Sequence, residues 1–328
     1  MKNFLWSVDS DGVTLNDFLR KKIPAAIGGE KISNSKIRRL IVAGAVFVDG
    51  RQCRISAWTL KKNSTVQARV DEEKLFYEKR PDDIEYTLTE SDVLFEDENL
   101  IVVNKPAFIP TEGTVVADRF SMHKAVIDYL WKKNPSLRNP PYVGIMHRLD
   151  RETSGALLFT KTRTVNNAVH SIFEEHLAQK TYRAVCSGRL LIPCSDSEDR
   201  FSLENFIGRI SAKSAKCKIG AVDERHGGKY AKTDFHIAAK KNGLVYVDCK
   251  PLTGRTHQIR VHLSSVGLPI LGDELYGGKK GFEENNGRIM LHAFSLEFPH
   301  PVTGEQLKIY APMEKLFSPQ PTNFTQKF

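Results

Sequence analysis

The sequence predicts an α+β protein, in which a small α/β module precedes a larger domain built on a mixed, largely antiparallel sheet. Three observations predict it. Between residues 190 and 250, strand-like runs at 205–213, 231–239 and 244–250 alternate with exposed, turn-rich stretches at 196–200 and 223–229. Helical periodicity is confined to a few segments, so strands and helices do not alternate as a parallel α/β sheet requires. A charged stretch containing Pro81 separates the first 72 residues from the rest and reads as a linker over 73–88. The larger domain then occupies 89–317, and 318–328 form a frayed tail.

In the N-terminal module, Leu15, Phe18 and Leu19 recur at spacings of three and four and open a helix that Gly28-Gly29 breaks. A second helix spans 35–44, with Ser35 as N-cap, Gly44 as its stop and Ile37, Leu40 and Ile41 facing the core. Lys36, Arg38 and Arg39 flank that face. Residues 45–48 form a strand, Asp49-Gly50 a tight turn, and short strands continue to Val70.

In the larger domain, 99–106 is a buried strand ending at Lys105-Pro106, and 121–133 is a helix. The run His147-Arg148-Leu149-Asp150-Arg151-Glu152-Thr153-Ser154-Gly155 leads into a short buried strand at 156–159. Residues 163–179 form an amphipathic helix with Val165, Ala168, Val169, Ile172, Phe173 and Leu177 inward. A strand at 180–188 follows, then the strand-and-turn region, a helix at 254–267, and strands at 268–271, 289–298 and 306–311.

The net charge of +9 is concentrated. Residues 15–70 hold twelve Lys and Arg against three acids, while the other 36 bases and 36 acids cancel. Such asymmetry points to a polyanion. The N-terminal helices bury their large apolar residues, which disfavours a membrane surface and leaves nucleic acid. The five cysteines include no Cys-x-x-Cys pair, which fits a reducing, cytoplasmic setting. No apolar run near the start suggests a leader or membrane span.

Three segments could carry chemistry. The first is the 147–155 run, where Asp150 stands between arginines and is tethered to a core strand. Taken alone, such a tetrad is more often a surface ion-pair cluster, but a tethered carboxylate is also what a reactive acid requires. The second is Lys180-Thr181-Tyr182-Arg183. The third is Arg255-Thr256-His257-Gln258-Ile259-Arg260-Val261-His262. Read as a helix, it places Arg255, Ile259 and His262 on one face and His257, Arg260 and Val261 on another. Its histidines are five apart, off a shared face, and no Cys or acid lies at zinc-like spacing, so no metal is expected. Ser154 is not in a nucleophile elbow, and no phosphate-binding glycine loop occurs, so a serine hydrolase and nucleotide cofactors are disfavoured.

The order of these motifs, with 100–106 before them and 272–277 and 291–293 after, resembles the RluA family of pseudouridine synthases over about residues 89–312. The N-terminal module resembles the S-four-type RNA-binding domain, with Lys36, Arg38, Arg39 and Arg51 at its basic positions. The sequence departs from the family pattern at Phe108, where a glycine is common, at Thr111-Glu112, where His-Pro is common, and in a longer 190–230 segment.

The resemblance implies the pseudouridine synthase fold and isomerisation of uridine in RNA, with no cofactor and no metal. It implies that Asp150 is the catalytic aspartate, that Arg255 pairs with it and holds it ionised, and that Tyr182 stacks on the flipped base and serves in removing the proton from carbon 5. It also implies that Arg148 enters the RNA stack, or contacts the backbone, once the uridine leaves. The N-terminal module favours ribosomal RNA, with transfer RNA as the alternative substrate. A non-catalytic RNA-binding or ribosome-assembly protein is the remaining alternative. A monomer is expected.

Overall fold

The computed structural model describes residues 2–27, 32, 34–71, 86–113, 120–194, 199–211, 217–283 and 287–319. It divides into two compact units, residues 1–83 with 113–119, and the remainder. In the first unit, β1 (Lys2–Ser7), α1 (Leu15–Ala26), α2 (Asn34–Val42), β2 (Val46–Val48), β3 (Arg51–Gln52) and β4 (Thr65–Val70) follow in order. The strands form an antiparallel sheet in the order β1-β4-β2-β3. Thr14 caps α1 by accepting the Asp17 N–H at 3.2 Å. Leu15, Phe18, Leu19 and Ile23 of α1 pack with Ile37, Leu40 and Ile41 of α2 on the sheet residues Val46, Val66, Ala68 and Val70. This periodic burial leaves Arg38, Arg39 and Arg51 exposed and Lys36 half-buried.

The second unit comprises β5 (Val93–Glu96), β6 (Leu100–Lys105), α3 (Met122–Lys133), β7 (Gly144–Ile145), β8 (Ser154–Thr160), α4 (Asn166–Glu174), β9 (Gln179–Ser187), β10 (Arg200–Arg209), β11 (Ile219–Ala221), β12 (Lys229–Lys241), β13 (Leu244–Pro251), α5 (Gln258–Ser265), β14 (Leu291–Pro299) and β15 (Gln306–Tyr310). Among the described residues, the strands make one sheet in the order β11-β10-β12-β13-β9-β14-β8-β6-β5, with β15 on β14 and β7 on β8. Every pairing is antiparallel except β14 with β8, so the α+β, largely antiparallel class holds.

That parallel pairing positions the charged run. β8 is buried throughout, and its second residue, Gly155, lies between Lys105 of β6 and Ala293 of β14. Gly155 has φ 114°, and a Cβ there would stand 2.2 Å from the Ala293 carbonyl oxygen. Beside it, Ser154 Oγ donates to His292 Nδ1 at 2.7 Å and accepts from Arg288 Nη2 at 2.5 Å, while Arg288 Nη1 reaches Glu314 at 2.6 Å. Burial pushes the His292 imidazole down to about 4, so it stays neutral and can accept.

Several elements differ from expectation. Residues 86–88, assigned by sequence to the linker, belong to the second unit, where Leu88 is buried with Ile101 and Val103. The rest of that linker, 73–85, and residues 320–328 of the tail lie outside the described residues. The helix expected at 163–179 spans only Asn166–Glu174. His176 turns left-handed at φ 58°, so the period breaks and Leu177 is 50% exposed. The helix expected at 254–267 is Gln258–Ser265, and the strand at 268–271 reduces to a single bridge between Cys186 and Ile270. Among the described residues, no helix is long and apolar enough to cross a membrane.

Candidate active site

Asp150 sits in the loop between β7 and β8, which is fixed at four points. His147 anchors its start: Nε2 accepts the Leu158 N–H at 3.0 Å, and the ring stacks on Phe173. Burial, helped by the Lys180 charge, pushes this imidazole down to about 3, so it stays neutral and can accept. Thr111 Oγ1 accepts the Leu149 N–H at 3.0 Å and donates to the Leu149 carbonyl at 2.9 Å, a two-point clamp beside Asp150. The Asp150 carbonyl accepts the Thr153 N–H at 3.1 Å and closes a turn.

Lys105 fixes the far side. It is fully buried, and Nζ donates to the carbonyls of Ile109 at 2.8 Å, Pro106 at 2.9 Å and Arg151 at 3.2 Å. Burial, reinforced by the Arg288 charge, pushes its amine down to about 7, while the Glu152 and Asp150 carboxylates oppose that fall. Three carbonyl acceptors suit the three donors of the ammonium form.

The Asp150 side chain is 27% exposed, and its Oδ2 lies 3.3 Å from Arg260 Nη1. Arg260 is itself held by a forked pair to Asp273, at 2.6 Å and 2.9 Å, with both partners almost wholly buried. Burial alone would lower the guanidinium, but Asp273, Asp150 and Glu152 outweigh it and raise it. Arg260 therefore stays charged, with one edge fixed and the other facing the carboxylate. His257 Nε2 stands 4.0 Å from the same Oδ2. Among the described residues, no hydrogen bond engages Oδ1.

The arginine beside Asp150 is thus Arg260, and the expected pairing with Arg255 is corrected. Arg255 precedes α5 and is exposed; its Nε donates to the Tyr230 carbonyl at 3.0 Å and its N–H to Gln258 Oε1 at 3.0 Å. The helical reading that grouped Arg255 with Ile259 and His262 fails because His257 is left-handed at φ 55° and the helix starts only at Gln258. His257 and Arg260, grouped on one face by the sequence, are the pair that meets Asp150.

Tyr182 lies on β9, opposite Cys249 and Ala293, and packs against two core clusters. Burial chiefly, with the Asp150 charge, raises its phenol above the ordinary range. The side chain is therefore a neutral ring near the carboxylate, suited to stacking. Arg148 is 63% exposed, 4.0 Å from Glu112. Phe108 adopts a left-handed φ of 69°, uncommon for a bulky residue, with the Arg151 guanidinium over its ring at 5.6 Å. Lys36, Arg38, Arg39 and Arg51 belong to the other unit. Asp273 and Tyr276 were given no role by sequence, and the glycine-flanked 272–277 turn was the available signal; Thr111 stood out only as a departure from the family pattern. Among the described residues, no group of three His, Cys, Asp or Glu side chains is placed to hold a metal ion.

Comparison with known proteins gives this geometry a family. A family model described as RNA pseudouridylate synthase matches residues 99–265. An "Uncharacterized RNA pseudouridine synthase" of Helicobacter pylori is 31% identical over 311 residues, 93% of this chain and 88% of the relative. A "Ribosomal large subunit pseudouridine synthase C" of Pasteurella multocida is 37% identical, over 69% of this chain and 65% of the relative. Among solved structures, "Human RNA Pseudouridylate Synthase Domain Containing 4" has the same fold, with a TM-score of 0.55 at 22% identity, covering 69% of this chain and 90% of that one. The chain therefore belongs to the RNA pseudouridylate synthase family, in its RluA branch, and is an isomerase of uridine in RNA.

Proposed function

We propose that Asp150 is the group that reacts with the uridine and that the RNA is ribosomal. The observation that carries the first part is the asymmetry of the carboxylate: Oδ2 is occupied by Arg260 and the loop is clamped on both sides, while among the described residues no hydrogen bond engages Oδ1. A carboxylate in this state can act at the sugar carbon as a nucleophile, or stabilise positive charge there. The N1–C1′ bond breaks, the base turns while bound, and a C5–C1′ bond forms. The C5 proton leaves and N1 takes one up, so atoms balance without oxidant or energy source. Tyr182 supports the turned base by stacking. Arg148, exposed at the loop's outer edge, fills the RNA stack that the uridine vacates and offsets part of the few kcal/mol that flipping costs, on the order of 2–4.

Ribosomal RNA is supported by the relatives from Pasteurella multocida and Neisseria meningitidis, both named ribosomal large subunit pseudouridine synthases, the latter 30% identical over 86% of this chain. The exposed Arg38, Arg39 and Arg51 support a role for the N-terminal unit in binding RNA phosphates, as an S-four-type domain would.

Pseudouridine mapping in a deletion strain tests the target. The expected outcome is loss of one or a few ribosomal positions, restored by wild type and not by Asp150→Asn. Loss confined to transfer RNA would reassign the substrate, and restoration by Asp150→Asn would remove Asp150 from the chemistry.

A further inference from the structure

His257 lies inside the site but takes no part in the steps above. Its two ring nitrogens face different partners. Nε2 is 4.0 Å from Asp150 Oδ2, and Nδ1 is 2.8 Å from Tyr276 Oη. Tyr276 Oη also receives the Ile219 backbone N–H at 2.9 Å. A backbone N–H can only donate, so the hydroxyl accepts from Ile219 and its own hydrogen is available for His257. An Nδ1 that accepts leaves the proton of a neutral ring on Nε2. Burial chiefly keeps His257 below its ordinary value and pushes the Tyr276 phenol up to about 12, so the imidazole stays neutral and the phenol keeps its proton.

We propose that His257 is a positioning residue of the reaction: Tyr276 locks its imidazole in the tautomer that directs Nε2–H at Asp150 Oδ2, so that His257 and Arg260 together hold the carboxylate with Oδ1 presented to the uridine. This deepens the reading of Asp150 as the reacting group and rests on it. At 4.0 Å the contact is longer than a hydrogen bond, so in the free enzyme it is a charge–dipole attraction. Catalytic hydrogen bonds of this kind commonly tighten when substrate fills the site.

The proposal also gives the long 190–230 segment a task. Its β10–β11 hairpin forms the edge of the sheet, and Ile207 and Ile219 pack with Val261 of α5 and with Tyr276. Ser264 of α5 donates to the Tyr276 carbonyl at 2.6 Å, tying the turn to the same helix. The hairpin therefore ends in one N–H that sets the direction of a hydroxyl proton two residues removed from the carboxylate.

The test separates the two nitrogens. The amide of His257→Gln reaches the Nε2 position and keeps a donor for Asp150. That of His257→Asn reaches the Nδ1 position and keeps an acceptor for Tyr276. Single-turnover rates, KM and melting temperature are measured for both on a uridine-containing RNA substrate. The expected result is a kcat for Gln within about five-fold of wild type and for Asn lower by roughly 10- to 100-fold, with KM and melting temperature little changed in either. Asn equal to or faster than Gln, wild-type rates in both, or equal losses that track a fall in melting temperature would each overturn the proposal. Asp150→Asn in the same assay keeps the two ideas apart. If it is active, the underlying reading falls; if it is inactive while the Gln and Asn order is reversed, the His257 proposal alone falls.

Discussion

Asp150→Asn will give a folded protein that binds RNA and converts no uridine. The substitution is isosteric, and the amide oxygen can still accept from Arg260 Nη1, while the forked Arg260–Asp273 pair is untouched. Stability should change by no more than about 1 kcal/mol. The backbone clamps from Thr111 and Lys105 act on residues 149 and 151 and do not depend on the Asp150 side chain. What is lost is the negative charge and the nucleophilic oxygen, and removing such a group costs on the order of 10⁴-fold or more in turnover. Tritium release from carbon 5 of uridine in RNA measures conversion, and filter binding measures affinity. The expected combination is no release with binding within a few-fold of wild type.

Gly155→Ala will cost the protein its fold or most of its stability. The residue is held between β6 and β14, at a φ that side chains rarely adopt, and the new Cβ would meet the Ala293 carbonyl oxygen at 2.2 Å. Neither strand can retreat easily, because β14 is also paired to β9 and β15, and β6 to β5. Strain and overpacking together amount to roughly 2–6 kcal/mol, a large part of the usual 5–15 kcal/mol of a folded domain. Thermal melting should show a drop of many degrees or a loss of cooperative unfolding. Ala at Gly243, an exposed turn position where a Cβ meets nothing within 4 Å, should cost far less despite its positive φ of 73°.

Much of this site was legible because its residues are local in sequence. The 147–155 run, the Tyr182 strand and the 254–262 segment were identifiable from charge, apolar pattern and motif order. Distances across the fold were not. The resemblance implied Arg255 as the partner of Asp150, and the helical reading grouped Arg255 with Ile259 and His262. A left-handed residue just before the helix breaks the period and moves the pairing to Arg260. Asp273 lies in the glycine-flanked 272–277 turn, with nothing in its local sequence to mark it, yet it is almost wholly buried and holds Arg260 in place. Thr111 was visible only as a departure from the family pattern, and its clamp on Leu149, 38 residues away, is a tertiary fact. The fold class survived these errors because alternating burial in β12 and uninterrupted burial in β8 are written directly in the residue pattern.

The assignment of the arginine roles is tested most directly by Arg260→Lys against Arg255→Ala. Lysine keeps a charge for the buried Asp273 but lacks the planar fork that serves two carboxylates at once, whereas full removal of Arg260 would leave Asp273 unpaired at about 3–5 kcal/mol. With turnover and melting temperature measured on both, Arg260→Lys should lose roughly 100- to 1,000-fold in kcat, and Arg255→Ala should retain kcat within a few-fold of wild type. An active Arg260→Lys beside an inactive Arg255→Ala of unchanged melting temperature would contradict the Asp150–Arg260 pairing.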